Sequence, residues 1–396
     1  MLAKILINIF GLTILVNKVW TQNNENTSTS TIQNRRHPEP FTLPLSQDYF
    51  NLEEIQLKKK IYEDNKIDAL FFQHAKSTGL QGLEKFDEEK YYLVFRQNIL
   101  LMNRLYNIYN TTMFSINAYT HYTFDEFTNW FTGFNSTGLR EDDVTLFNRS
   151  VIQELPPVID WSDDILLDYF QDTKCKNSYV LSALSNIEAQ YYASSGNKKL
   201  GYLSVRQAFE CERQGSCEYG GVPHYVFKAL KDTGGVSLQY MYPYFEQANT
   251  KGDTCQTSKD NVAILIDDYI RLKVDKEEDL LYLLAYYGPV VTTIYVSESI
   301  RHYSNGVLDP IDCGNNATNH AVLLDGYGVD NKYNLPYWHV KSTWEGWGYK
   351  DHIRLIRGKG FVCNLGREYI ATVIVKPNVT QVSKNVIKIV SLVNSG

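Results

Sequence analysis

The sequence predicts an α+β protein in which helices come first and a sheet follows. Two observations carry this. The chain before residue 170 is free of cysteine and rich in helical apolar periodicity, whereas the part after it holds all six cysteines among short β-branched and aromatic runs. Those runs are separated by Gly, Pro and Asn, which is how antiparallel strands read.

At 396 residues, 43% hydrophobic and 21% charged, the chain is ordinary globular material with enough apolar content for two or three domains. Its net charge of −6 supplies no basic field for nucleic acid or anionic lipid. The longest run of like charge, Lys58 to Lys60, reads as a solvated helix face.

The opening "MLAKILINIFGLTILVNKVWTQ" sets Lys4 before an apolar stretch from Ile5 to Val16. A stretch of about twelve residues is too short to span a bilayer, where about 20 are needed. It reads as a signal peptide over residues 1–21, followed by a polar flexible linker over 22–50. Six Asn-x-Ser/Thr acceptors at Asn26, Asn110, Asn135, Asn148, Asn316 and Asn378 fit a secretory glycoprotein. An even number of cysteines points to the same oxidising route, and the expected location is secreted or lysosomal.

Helical periodicity is predicted over Glu53 to Lys76 and over Asp87 to Tyr109, with Leu93, Ile99, Leu100 and Met102 to Leu105 forming the apolar stripe. From Ser178, the residues Val180, Leu184, Ile187 and Tyr191 step by four, three and four, which predicts a core helix with one buried face. Strands are predicted in "GPVVTTIYV", "HAVLLDGYGV", "LPYWHVKSTW", "HIRLIRG" and "YIATVIV". No repeat of solenoid or propeller length is present.

The stretches Asp160-Trp161, "CKNSYVLSALSNIEA", "SCEYGG", "YMYPY", "NHAVLLDGYG" and "YWHVKSTWEGWGYKDHIRLIRG" occur in the order found in papain-like cysteine peptidases, which the chain resembles over nearly its whole length. The resemblance implies a helical lobe facing an antiparallel β lobe across a cleft, here residues 156–377, and a helical inhibitory propeptide over 51–135. A linker over 136–155 would cross the cleft, and residues 378–396 would form a C-terminal extension. In the propeptide-like part, Phe95 and Asn98 fit the middle of the long-helix motif, and "INAYTHYTFDEF" resembles the strand and acidic turn that follow it. Tyr91 stands where the family has arginine, and His121 where it has aspartate.

In that family the nucleophile is a cysteine heading the core helix, before an aromatic residue, and Ser178 holds this place. A rival register would make Cys175 the nucleophile but would leave five cysteines to pair. The family disulfides imply Cys175 with Cys217, Cys211 with Cys255 and Cys313 with Cys363, one among many pairings, and they consume every thiol. His320 stands at the family's catalytic histidine, and Ser342 at its orienting asparagine. The glutamine of the oxyanion hole falls on Asp172, with Gln171 one residue too early.

A serine hydroxyl does not ionise beside an imidazolium as a thiol does, so it needs concerted help from a well-oriented histidine. Ser342 is expected to be too short to hold His320, and Asp172 would put a carboxylate where a donor should be. Changes to one cooperating unit imply loss of peptidase activity. Gly220, Gly221, Val222, Ala321 and Trp344 would still line a cleft able to take a peptide, an inhibitor or a protease partner. The Ser178-Tyr179 pair is also similar to silicateins, which would imply a serine hydrolase or condensing enzyme, although silicateins keep the asparagine that is Ser342 here. A storage or matrix body is the third reading.

No cofactor and no metal is expected: Cys211, Cys217 and His224 lack zinc spacing, and His339 reads as a satisfied core histidine in an apolar strand. Lys384 and Lys388 in the tail argue against a membrane anchor.

Overall fold

The computed structural model describes residues 60–81, 85–137, 139, 143–149, 154–162, 168–169, 174–196, 199–243, 255–256 and 262–375. The predicted signal peptide, the linker over 22–50, Asn26, Asn378 and the C-terminal extension therefore lie outside the described residues. So do Gln171 and Asp172.

Helix α1 spans Ile67–Ser77 and α2 Lys85–Ile108. Residues 60–63 are not helical, so α1 starts later than the periodicity suggests. Beyond α2, strand β1 (Thr112–Phe114) is followed by a turn and then by α3 (Phe124–Phe131). The strand and acidic turn expected within residues 116–127 are thus a turn and a helix. Local bonds decide this: Thr120 donates its amide to Asn117 O at 3.1 Å, and Thr123 and Glu126 close a reciprocal capping box.

Helix α4 (Ser178–Ser194) is buried on all sides rather than on one face. Its apolar residues Val180, Leu184 and Ile187 are fully buried, as the spacing predicts, but so are Ser182, Ser185 and Asn186. Asn186 satisfies itself by donating to Pro289 O at 2.8 Å and accepting the Val373 amide at 2.9 Å. Helices α5 (Val205–Cys211) and α6 (Pro223–Asp232) complete the helical side.

The β side is a ten-stranded sheet in the order β1-β8-β11-β10-β9-β7-β12-β6-β2, with β3 added on β9. Its members are β2 (Val144–Leu146), β3 (Ile159–Asp160), β6 (Ile266–Lys273), β7 (Val290–Ile294), β8 (Tyr303–Leu308), β9 (His320–Asp330), β10 (Leu335–Lys341), β11 (His352–Ile356) and β12 (Ile370–Val375). A small pair, β4 (Val236–Ser237) with β5 (Val262–Ile264), lies apart. The sheet is not wholly antiparallel, because β11 runs parallel to β8 and β2 parallel to β6. Both outer strands, β1 and β2, come from the N-terminal part of the chain, which covers the two edges that would otherwise stand open.

Three disulfides join Cys175 to Cys217, Cys211 to Cys255 and Cys313 to Cys363. This is the pairing implied by the resemblance, and it leaves no free cysteine. Of the described glycosylation acceptors, Asn110, Asn148 and Asn316 are exposed, while Asn135 is half-buried.

The N-terminal helices hold to the sheet through Asn98, which donates to Thr120 O at 2.7 Å and Tyr122 O at 3.0 Å. Its side-chain oxygen accepts from the buried Arg301 at 2.7 Å. Tyr91 and His121 meet edge to face with centroids 5.2 Å apart, and His121 Nδ1 lies 2.8 Å from His74 Nε2. Only one N–H can sit between those two nitrogens. Burial pushes the His74 ring down to about 4 and the His121 ring to about 3, the charges of His74 and Lys174 adding to the latter.

Both rings titrate below their unfolded value of about 6.5, so their contribution is complete above that pH and is lost as pH falls towards about 4. One such histidine removes about 2 kcal/mol at about pH 5. The protection factors of the α1 and α2 amides should fall on acidification and should do so less in His74→Leu/His121→Leu; equal pH profiles of protection in the two proteins would contradict the assignment.

Candidate active site

Ser178 is the first residue of α4 and His320 the first of β9, so one helix start and one strand start meet across the cleft. The Ala321 amide donates to Ser178 Oγ at 3.2 Å. That contact puts the serine beside the residue that follows His320.

His320 is fully buried, with its ring stacked on Trp344 at 4.3 Å. Its Nε2 lies 3.0 Å from Ser342 Oγ. The expectation that Ser342 is too short to hold the imidazole is therefore corrected. Ser342 directly follows β10, its amide donates to Asp351 O at 2.9 Å, and the Trp344 stack brings the ring to it. The chemistry still differs from that of an amide oxygen. A hydroxyl both donates and accepts, so it does not dictate which ring nitrogen carries the proton.

His320 Nδ1 is buried without a hydrogen-bond partner among the described residues. Burial pushes the imidazole down to about 3, so it is neutral across the ordinary pH range.

The cleft is filled by the chain's own N-terminal part. Gly133 and Phe134 donate their amides to Asn319 O at 3.1 and 3.0 Å. Gly221 donates to Gly133 O at 2.9 Å, and Asn135 to Gly221 O at 3.1 Å, which makes a parallel bridge between Phe134 and Gly221. The Phe134 side chain is buried in the same apolar cluster as Val222 and Ala321, with its ring 5.4 Å from Tyr369. Trp344 donates to Phe131 O at 2.6 Å and packs on Phe127 at 5.0 Å. Lys174 sits over the Trp130 ring at 3.9 Å on the same wall.

Sequence reasoning placed Gly220, Gly221, Val222, Ala321 and Trp344 together, and the structure brings all of them to this groove. It did not find Phe134, Gly133 or Asn319. Asn319 offered one signal, its place directly before His320, but the fit of Phe134 depends on a pocket built by distant segments.

The approach of the two backbones is close. A Cβ on Gly133 would lie 2.6 Å from Lys176 O and 2.8 Å from Ser178 N. Gly133→Val should therefore unseat residues 133–135 while leaving the disulfides intact. The amide of Gly221 should then lose its protection from exchange, whereas undiminished protection would show that the segment is held by other contacts.

The sequence of residues 155–373 matches the family model described as papain family cysteine protease. Over 351 residues the chain is 27% identical to a viral cathepsin of Heliothis zea nuclear polyhedrosis virus, covering 86% of this chain and 90% of that protein. It is also 27% identical to the thiol protease aleurain of Arabidopsis thaliana over 328 residues, 81% of this chain and 79% of the relative. Both alignments are long enough to take in the N-terminal helices. Among solved structures, digestive procathepsin L2 from Tenebrio molitor larval midgut aligns with a TM-score of 0.70 at 21% identity, covering 78% of this chain and 99% of that one. The recombinant stem bromelain precursor aligns with a TM-score of 0.67 at 24% identity, over 78% and 98%. Helices α1 to α3 take the place of the propeptide in this two-lobed fold, and the chain belongs to the papain family of cysteine proteases.

Proposed function

We propose that this chain is a secretory-pathway member of the papain family that has lost peptidase activity and uses its cleft to bind an extended peptide or protein, such as a protease inhibitor or a protease. The observation that carries the reading is the contact of Ser178 Oγ with the Ala321 amide at 3.2 Å, while His320 Nδ1 is buried without a partner among the described residues. A serine nucleophile needs its hydroxyl on the imidazole that removes its proton.

Three further points support the proposal. Ser178 replaces the thiol that the family's mechanism uses, and a hydroxyl does not ionise at a helix N-terminus. Ser342 contacts His320 but leaves its tautomer unfixed. The seating of Phe134 and its pairing at the Gly221 edge support the reading, since one extended segment of this protein already lies in the groove. The disulfides and the exposed Asn110, Asn148 and Asn316 favour an oxidising compartment and glycan attachment.

The test uses forms freed of residues before about Pro156, assayed with a fluorogenic peptide carrying an apolar second residue. Wild type should turn over no faster than Ser178→Ala, and Ser178→Cys alone should remain poor. The combined Ser178→Cys, Ser342→Asn and Asp172→Gln protein should exceed what the separate changes add up to, because the groups act as a unit. Turnover by wild type near the enzyme median of about 10 per second, abolished by Ser178→Ala, would identify a serine enzyme. Failure of every extended peptide to bind the freed cleft would leave only a storage or matrix role.

A further inference from the structure

Three buried side chains meet on the strands that carry the cleft residues. Asp325 of β9 places Oδ1 3.1 Å from His339 Nδ1 of β10 and Oδ2 2.8 Å from His352 Nε2 of β11. The two imidazole rings stack with centroids 4.3 Å apart at 10°. Asp160 of β3 lies at the edge of the stack, its Oδ1 3.9 Å from His339 Nδ1 and accepting from Ser162 N and Oγ. The other titratable and charged groups facing the rings are Arg354 of β11, Asp351 beside His352, and Tyr337 of β10, whose ring is 6.4 Å from that of His339.

The hydrogen-bond polarity of His352 is the informative point. Its Nδ1 lies 2.5 Å from Lys350 O, and a carbonyl only accepts, so Nδ1 carries a hydrogen. Its Nε2 faces Asp325 Oδ2, and that contact needs a hydrogen as well. A neutral ring has one N–H, and here two acceptors wait for it, so the geometry is that of an imidazolium. An imidazole, at about 6.5, is a far stronger base than a carboxylate, at about 3.9, which puts the proton on the ring and leaves Asp325 ionised. Burial works to raise Asp325, yet the two imidazoles hold it well below the usual carboxylate range; burial works to lower His339, yet the same carboxylate raises it. The stacked rings thus share a positive charge that Asp325 balances, and it titrates as a property of the cluster.

What the proton holds is a strained turn. Lys350 and Asp351, at the head of β11, have φ of +53° and +62°, in the left-handed region that residues other than glycine rarely adopt. The turn is tied by the Asp351 amide, which donates to Trp347 O at 3.2 Å, and by the Lys350 carbonyl, which accepts from His352 Nδ1. Asp351 O accepts the Ser342 amide at 2.9 Å, and Ser342 Oγ lies 3.0 Å from His320 Nε2. Contacts therefore run from the buried carboxylate through the turn to the ring in the cleft.

We infer that the proton between Asp325 and His352 is a latch: with it in place the turn at Lys350 and Asp351 is tied to β9, and without it the turn is freed and Ser342 loses its fixed place beside His320. On loss of the proton, either Lys350 O or Asp325 Oδ2 is left without its donor. The latch goes beyond the proposed function and stands whether or not Ser178 is a nucleophile. Its pH dependence has a definite sign. His339, raised, adds stability that is complete below about 6.5 and lost as pH rises, whereas Asp325, depressed, adds stability that is complete above about 3.9 and lost only in stronger acid. The latch is closed between those limits and opens towards alkaline pH, the reverse of the His74 and His121 pair.

The test uses the full chain labelled with ¹⁵N-histidine. At about pH 7.5, where an ordinary imidazole of about 6.5 is about one-tenth charged, one histidine should show the nitrogen shifts of an imidazolium, and Asp325→Asn should abolish that signal. The asparagine can donate Nδ2–H to His352 Nε2 and accept from His339 Nδ1, so this variant keeps both contacts without the proton. In wild type the protection factor of the Ser342 amide should fall about tenfold or more between about pH 6 and about pH 9, as a buried acceptor loses its donor, and in Asp325→Asn it should stay level. Wild type with no imidazolium at the first pH overturns the latch, and that measurement decides even if the variant does not fold. An imidazolium accompanied by the same pH profile of Ser342 protection in both proteins overturns its link to the cleft.

Discussion

Everything around the candidate active site depends on how closely two backbones approach at the head of α4. Gly133 lies against the Lys176 to Ser178 backbone, and Gly220, at φ +73°, would bring a Cβ to 2.3 Å from Gly133 O. No side chain fits between them. Given this approach, the amides of Gly133, Phe134, Asn135 and Gly221 all find backbone acceptors, and Phe134 is delivered to its pocket. A buried backbone without such partners would forfeit about 1 to 3 kcal/mol per orphaned group, so the pairing and the glycines stand or fall together.

The same approach sets the electrostatics. With residues 131–135 in place, Trp344 is closed over by Phe127 and the Phe131 carbonyl, and His320 beneath it is fully buried. Desolvation is then the cause of its depressed basicity. The imidazole sits among groups that cannot compensate a positive charge: an indole face, the Ser342 hydroxyl and the backbone. A cysteine mechanism needs an imidazolium held beside a thiolate. Here neither member of that pair is favoured, because the hydroxyl of Ser178 stays neutral and the ring stays neutral with it.

Much of this was legible in the sequence, for physical reasons that can be named. The β7, β9, β10, β11 and β12 runs were visible because each is a short apolar stretch bounded by turn residues, and α4 because its apolar residues keep helical spacing. What escaped was tertiary. Periodicity gave α4 one buried face, yet its polar residues are buried too, and Asn186 is tolerable there because it donates to the Pro289 carbonyl and accepts from the Val373 amide. The strand and acidic turn that the resemblance implied for residues 116–127 give way to a turn and a helix, because the Thr123 and Glu126 capping box starts a helix at Phe124. Side-chain length alone predicted that Ser342 would fall short of His320. Backbone position decides the distance, and that was not readable from residue type.

Replacement at one position is answered at its spatial neighbour in more than one place. Tyr91 and His121, which both depart from the family pattern, meet ring to ring, and His121 finds its hydrogen bond in His74 rather than in a charged partner. At the cleft, Ser178 lies beside the strand start that carries His320, and Ser342 holds that ring from the other side. Under the proposed reading, hydroxyls thus stand at both positions that the resemblance assigns to the family's nucleophile and its orienting amide. A hydroxyl at either place alone would leave a mismatched pair: an ionisable thiol beside an unfixed ring, or a fixed ring beside an inert nucleophile. The described groups in contact with the His320 ring and with Ser178 Oγ, the Ser342 hydroxyl, the Trp344 indole and the Ala321 amide, are all neutral. Under the function proposed above, such a neutral arrangement suits a cleft used for packing and binding, since burying an unpaired ion would cost several kcal/mol.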